Sequence, residues 1–240
     1  MNKVIKYCLL LMAVTTTLAF AIPRPAADEL QGAWSSNKRT VTETMTFIDG
    51  YCSYSSFDVQ KKQFIFTTGG PYQINGKTAT VTVEFNTMQK ELVGTTFNFS
   101  FVKKAAELVT ELHGASVTWK QVDNGQAPLS GVWRISGRKQ GDNISEMKLG
   151  PRRTLKILTG TRFQWAAINI ETKEFFGTGG GRYTFENGKY TEHIEFFSRD
   201  SSRVGASLSF DGKIENSAWH HSGLSSRGEP IYEIWSRLNQ

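Results

Sequence analysis

The chain has 240 residues, with 28 Lys and Arg against 22 Asp and Glu, a formal net charge of +6. No stretch approaches the roughly 20 apolar residues that a membrane-spanning helix needs. The basic excess is mild and scattered in pairs such as Lys61-Lys62 and Arg152-Arg153, which read as solvated turns before any attraction to acidic glycans or lipid headgroups; the export expected below sets nucleic acid aside.

In chain order, Asn2, Lys3 and Lys6 form a short basic start, Tyr7 to Val14 is an apolar run, and Ala19-Phe20-Ala21 is a small-x-small cleavage signal. That pattern predicts a secretory signal peptide over residues 1–21 and a short leader over 22–29. Cleavage would remove Lys3 and Lys6 and lower the net charge from +6 to +4. It would also remove Cys8 and leave Cys52 alone, so no intrachain disulfide is expected although the compartment would allow one. The expected location is secreted or periplasmic. Lipoprotein anchoring is not expected, because Cys8 lies inside the apolar run and not at the cleavage point.

Beyond the leader the chain writes one pattern twice. Leu30 with Gly32-x-Trp34 returns as Leu129 with Gly131-x-Trp133. Phe64, Gly69-Gly70 and Tyr72 answer Phe175, Gly180-Gly181 and Tyr183, and Glu84-Phe85 answers Glu195-Phe196. Trp119-Lys120 answers Trp235-Ser236-Arg237. So many matches in one order argue for duplication, with copies over residues 30–122 and 129–240 and a polar linker over 123–128.

Each copy has a period of two. Thr80, Thr82 and Glu84 alternate with Val81, Val83 and Phe85; His193 and Glu195 alternate with Glu192, Ile194 and Phe196. Such alternation predicts strands with one apolar face. Asp49-Gly50, Asn75-Gly76, Asn187-Gly188 and Asp211-Gly212 read as hairpin turns. Lys103 to Leu112 could compete as helix but reads better as a strand after a turn. The glycines of Gly179-Gly180-Gly181 lack the following helix of a phosphate loop and read as a bulge or sharp bend. The fold class expected is all-β, as two tandem antiparallel barrels of about eight strands each.

The Gly-x-Trp on a first strand, with a basic residue after a tryptophan on the last, resembles the lipocalin and fatty-acid-binding (calycin) superfamily. The second copy is similar to a group of secreted bacterial lipocalin-like domains of unassigned function. The resemblance implies that Trp34 and Trp133 close one end of each barrel, that Lys120 and Arg237 lie over them, and that Gly32 and Gly131 permit close backbone approach. These roles are structural and bring a fold, not an activity.

Three histidines, His193, His220 and His221, lie in the second copy. Neighbours on a strand face opposite sides, so His220 and His221 cannot both enter one pocket. A set of His193, Glu195 and one of that pair is conceivable as a metal site, but the expectation is no metal and no cofactor. Tyr72, Glu84, Tyr183, His193, Glu195 and His220 are the candidate ligand contacts, polar groups that would orient a guest in a mostly apolar barrel. No hydrolase, protease or paired-cysteine motif is present, so no catalytic residue is assigned. The expected function is a secreted, non-catalytic binding protein that holds a small apolar or amphipathic molecule, or a glycan. The alternative is an envelope-associated interaction scaffold with filled barrels. An enzyme using His193 and Glu195 for proton transfer comes last.

Overall fold

A computed structural model describes residues 29–238 apart from 113, 142 and 226. The signal peptide and all of the leader except Glu29 lie outside the described residues, as does His113.

The first barrel is built from β1 (Gly32–Lys38), β2 (Val41–Ile48), β3 (Tyr51–Asp58), β4 (Gln63–Asn75), β5 (Thr78–Thr82), the short β6 (Phe85–Asn86), β7 (Thr96–Lys104), β8 (Glu107–Leu112) and β9 (Ala115–Asp123). Each strand pairs antiparallel with the next, β6 continues β5 along β4, and β9 returns to β1 to close an eight-stranded barrel. The second barrel comprises β10 (Gly131–Gln140), β11 (Asn143–Glu146), β12 (Arg152–Leu158), β13 (Arg162–Asn169), β14 (Glu174–Glu186), β15 (Lys189–Phe197), β16 (Ser207–Glu215), β17 (Ala218–Leu224) and β18 (Pro230–Arg237). It closes in the same way through β10 and β18, with β11 as an extra partner of β10.

Turn chemistry accounts for most of the hairpins. Asp49-Gly50 and Asn187-Gly188 turn with both residues at positive φ, as tight hairpins demand. Lys103–Leu112 is strand on both sides of a turn, as the sequence suggests. Asp211-Gly212 is different: both residues lie inside β16, and the turn falls at Asn216-Ser217, at φ 49° and 62°. Asparagine tolerates that conformation, so the glycine was not required.

The alternation of β15 also breaks where a plain period of two would continue. Gly181 pairs with Ile194 and Gly180 with Phe196, so Glu195 is an extra, bulged residue. The bulge reverses the pleat. Tyr190, Glu192 and Ile194 face the interior before it, whereas Phe196 turns outward and packs 4.7 Å from Phe57 of the first barrel. In the first copy Glu84 stands in the equivalent break between β5 and β6, and Phe85 faces the second barrel. The recurring Glu-Phe is therefore a device that joins the barrels.

The barrel ends are closed twice in the same manner. The Trp34 indole donates to the Leu30 carbonyl at 2.7 Å, and the Trp133 indole to that of Leu129 at 2.9 Å. The Arg237 guanidinium carbon lies 3.9 Å from the centre of the Trp133 ring. Lys120 does not repeat this. Trp133 pairs with Arg237, and its counterpart Trp34 pairs with Gln121, so Lys120 is one residue out of step and points to solvent. Lys103 of β7 supplies the cation over Trp34, at 5.2 Å. Gly32 and Gly131 sit at φ +115° and +139°. A β-carbon on Gly32 would fall 2.1 Å from the Asp123 carbonyl oxygen, and one on Gly131 would displace the Arg237 guanidinium. Gly32→Ala is therefore expected to cost about 1–3 kcal/mol of stability in urea unfolding; an unchanged midpoint would mean that the backbone relaxes freely there.

The barrels share a core. Ile48, Tyr51 and Phe85 pack against Val132, Leu155, Ile157, Ala166 and Ile168. Phe85 meets Phe175 at 6.3 Å, and Phe196 meets Phe64 at 6.0 Å. Between these contacts Gln164 is buried, accepting from Ser55 and donating to both Thr67 and Thr178. Asp123 then clamps the connection, taking bonds from Thr159, from the Gly160 amide and from the backbone and side chain of Thr161.

Candidate functional site

The register lets the two interiors be compared strand by strand. Trp34 lies opposite Met45, and Trp133 opposite Lys156. Tyr72 lies opposite Val81, and Tyr183 opposite Glu192. Thr110 lies opposite Val117, and His221 opposite Glu233. Four interior positions that are Met45, Val81, Thr110 and Val117 in the first barrel are thus Lys156, Glu192, His221 and Glu233 in the second. All four are nearly inaccessible, at 5, 5, 2 and 8% exposure.

Inside the first barrel Met45, Phe47, Val81, Phe99 and Phe101 pack with Trp34 and Trp119, and the space left beside Met45, Phe47, Val81 and Phe99 is about 30 Å³. Its mouth widens into an apolar recess of about 480 Å³ lined by Phe66, Val83, Met88, Leu92 and Phe97, without a charged group. The second barrel keeps a cavity of about 210 Å³ in its interior, lined by the four ionisable residues together with Arg138, Trp165, Phe210 and Trp235.

The charges in that cavity are matched. The Lys156 ammonium donates to Glu192 Oε1 at 2.9 Å, and the Tyr190 hydroxyl donates to the same oxygen at 3.0 Å. Lys156 also lies 4.8 to 5.8 Å from the ring centres of Tyr190, Phe210, Trp219 and Trp235, which favour a cation electrostatically. Arg138 donates to Glu233 Oε1 at 2.7 Å, and the Trp235 indole to Oε2 at 3.2 Å. The His221 ring stacks 4.2 Å from Phe210, and its Nδ1 lies 3.6 Å from Glu233 Oε2, beyond a good hydrogen bond. Neither ring nitrogen of His221 has a hydrogen-bond partner among the described residues.

Titration follows this geometry. Burial, reinforced by Lys156, holds the His221 imidazole below its ordinary range, so it is neutral at pH 7. Burial alone would raise Glu233; the adjoining His221, Lys156 and Arg138 overcome it and hold that carboxyl at about 2. Burial and the neighbouring Glu192 push the Tyr190 phenol far up, so it remains a donor.

None of the six candidate contacts taken from the sequence lines this cavity. Tyr72 is a core ring, edge-on to Phe47 at 5.2 Å. Tyr183 is buried at the closed end, where its hydroxyl donates to the Thr159 carbonyl at 2.7 Å. Glu84 accepts from Tyr51 at 3.1 Å and pairs with Arg153 across the barrel contact. His193 is on the outer face, bonded to Ser207, and Glu195 pairs there with Arg162 and Arg182. His220 also points outward, onto the Tyr232 hydroxyl at 2.8 Å. The adjacency argument holds for the histidine pair, with His221 as the inward member. Among the described residues no three His, Cys, Asp or Glu side chains converge as metal ligands. No helix among them is long and apolar enough to cross a membrane.

The mouth of the second barrel is also more elaborate. Arg39 and Thr40 alone join β1 to β2, whereas β10 runs on to Gln140, folds back through β11 and reaches β12 only at Arg152. The β17–β18 connection spans residues 225–229, where the first copy needs only 113–114. Arg138 and Ser225, at the roots of these extensions, line the cavity.

Residues 128–240 match the family model of a domain of unknown function, DUF4488. The match takes in the second barrel and its ionisable interior. No curated protein matches the chain.

Proposed function

We propose that the protein is an exported, lipocalin-like binding protein whose second barrel holds a small amphipathic molecule or glycan in its interior. The observation that carries this reading is the contrast between copies. One interior is packed with apolar side chains, and the other, on the same scaffold, holds Lys156, Glu192, His221 and Glu233 around a cavity. Burying four ionisable groups gives a fold no net stability that apolar side chains would not give as well. Their placement around open space is what a polar guest uses for orientation, with aromatic walls for contact area. The first barrel, packed inside and open only in an uncharged recess at its mouth, acts as support.

Native mass spectrometry of the protein purified from its own host tests this. The wild type is expected to carry a small-molecule adduct. A variant with Lys156→Met, Glu192→Val, His221→Thr and Glu233→Val, the residues of the first barrel, is expected to lose it. The same spectra report export, which predicts a mature chain beginning at Ile22. Identical adduct-free spectra for both proteins would sink the binding reading.

A further inference from the structure

The cavity of the second barrel also restricts the charge of its guest, an argument that rests on the binding reading above. We infer that the ligand is an uncharged, single-ring molecule bearing both hydrogen-bond donors and acceptors, of the kind presented by a neutral sugar ring or a neutral heterocycle.

The interior already balances its own charges. Buried Lys156 faces Glu192 at 2.9 Å, and Arg138, half exposed at the mouth, reaches in to Glu233 at 2.7 Å. Each carboxylate takes a second donor, from Tyr190 or Trp235. An anionic guest would meet cations already engaged and would lie beside both carboxylates. A cationic guest would lie beside Lys156 and Arg138. Either would carry an uncompensated charge out of water, which protein interiors tolerate poorly. His221 adds no countercharge, because burial and Lys156 keep it neutral.

The guest is not purely apolar either. A neutral imidazole offers one N–H donor and one bare nitrogen acceptor. Among the described residues both ring nitrogens of His221 are buried in the cavity wall without a hydrogen-bond partner. A group that both donates and accepts, such as a hydroxyl or an amide edge, answers both, and a hydrocarbon answers neither. Shape points the same way. Trp165, Phe210 and Trp235 give the wall flat faces, and about 210 Å³ is the room of about seven waters, enough for one substituted ring.

Two shape-matched series that differ in charge test the inference with the full exported chain. D-glucose is compared with D-glucuronate and D-glucosamine, and uracil with its carboxylate analogue orotate. Binding is followed by isothermal titration calorimetry and by intrinsic tryptophan fluorescence, to which Trp165 and Trp235 of the cavity wall contribute. In at least one series the neutral member is expected to bind saturably, and its charged analogues about tenfold or more weakly. Leu208→Trp, which fills the cavity from its rim, is expected to abolish the signal while leaving the circular dichroism spectrum unchanged. A charged member that binds more tightly than its neutral counterpart overturns the inference and leaves the binding reading standing. If no member of either series binds, the neutral-ring class is overturned, and the native mass spectra decide separately whether a ligand exists. The sugar and uracil arms distinguish the two sources of this chemistry.

Discussion

Lys156→Met alone is expected to destabilise the protein by about 3–5 kcal/mol, and Lys156→Met combined with Glu192→Val to restore most of that loss. The single change leaves the Glu192 carboxylate buried with Tyr190 as its remaining partner. The double change writes into the second barrel the pair Met45 and Val81 that the first barrel carries at the same register positions. Similar backbone surroundings already accept those two side chains, so overpacking is small. Urea unfolding of the wild type, both single variants and the double variant forms a double-mutant cycle. A coupling energy near zero would show that the ion pair is solvated through the cavity and contributes nothing as a pair. The double variant is nevertheless expected to lose the ligand, which separates what these residues do for stability from what they do for binding.

Acid is expected to unfold the protein through the same cavity. Glu233 is held at about 2 in the folded state against an ordinary 4.5. A group whose pKa is depressed on folding stabilises the fold above its unfolded value and loses that contribution as pH falls toward the folded value. The window is therefore from about 4.5 down to 2, and the loss is about 3 kcal/mol. His221 acts in the same direction at higher pH. Its folded pKa lies below 6.5, so as pH falls through that value the unfolded chain takes up the proton first and stability declines. The groups facing them are Lys156 on β12, Tyr190 and Glu192 on β15, and Arg138 on β10, so the response belongs to the cavity as a whole. Denaturant unfolding at pH 7 and pH 3 should show wild type losing about 2 kcal/mol more than Glu233→Gln, because at pH 3 part of the contribution remains. Equal losses in the two proteins would mean that Glu233 is not held low.

The architecture was legible because two signals repeat. Period-two strands and the duplicated Gly-x-Trp give paired barrels, and the tryptophan closure follows from the same residues. The cavity was harder to read for two physical reasons. First, Glu84 and Glu195 recur together and so attract a functional reading, but they recur because each is the bulged residue that turns a phenylalanine onto the other barrel. A bulge inserts one residue, and every later side chain changes face; no alternation count reveals that. Second, the groups that do line the cavity do not recur. Glu192 shares a face with Ile194 in the sequence pattern, and its counterpart Val81 is apolar. Lys156 is surrounded by Leu155, Ile157 and Leu158 and reads as an ordinary strand residue. The informative signal was a charge in one copy where the other has a core residue. Reading it required the strand register, which also shows that Lys120 is one residue away from the position of Arg237.

The contact between the barrels has the form of a two-fold dimer. Phe85 meets Phe175 while Phe196 meets Phe64, the same two repeat positions with their roles exchanged. Gln164 stands between Thr67 and its repeat counterpart Thr178, close to where an axis would pass. In a dimer of identical chains every mutation enters both subunits, so a cavity cannot be opened in one without loosening the other. Joining the partners through residues 124–130 removes that constraint. One half can keep an apolar, stabilising interior while the other accumulates buried charge and longer rim loops, and the asymmetry between the halves is inherited as a single gene.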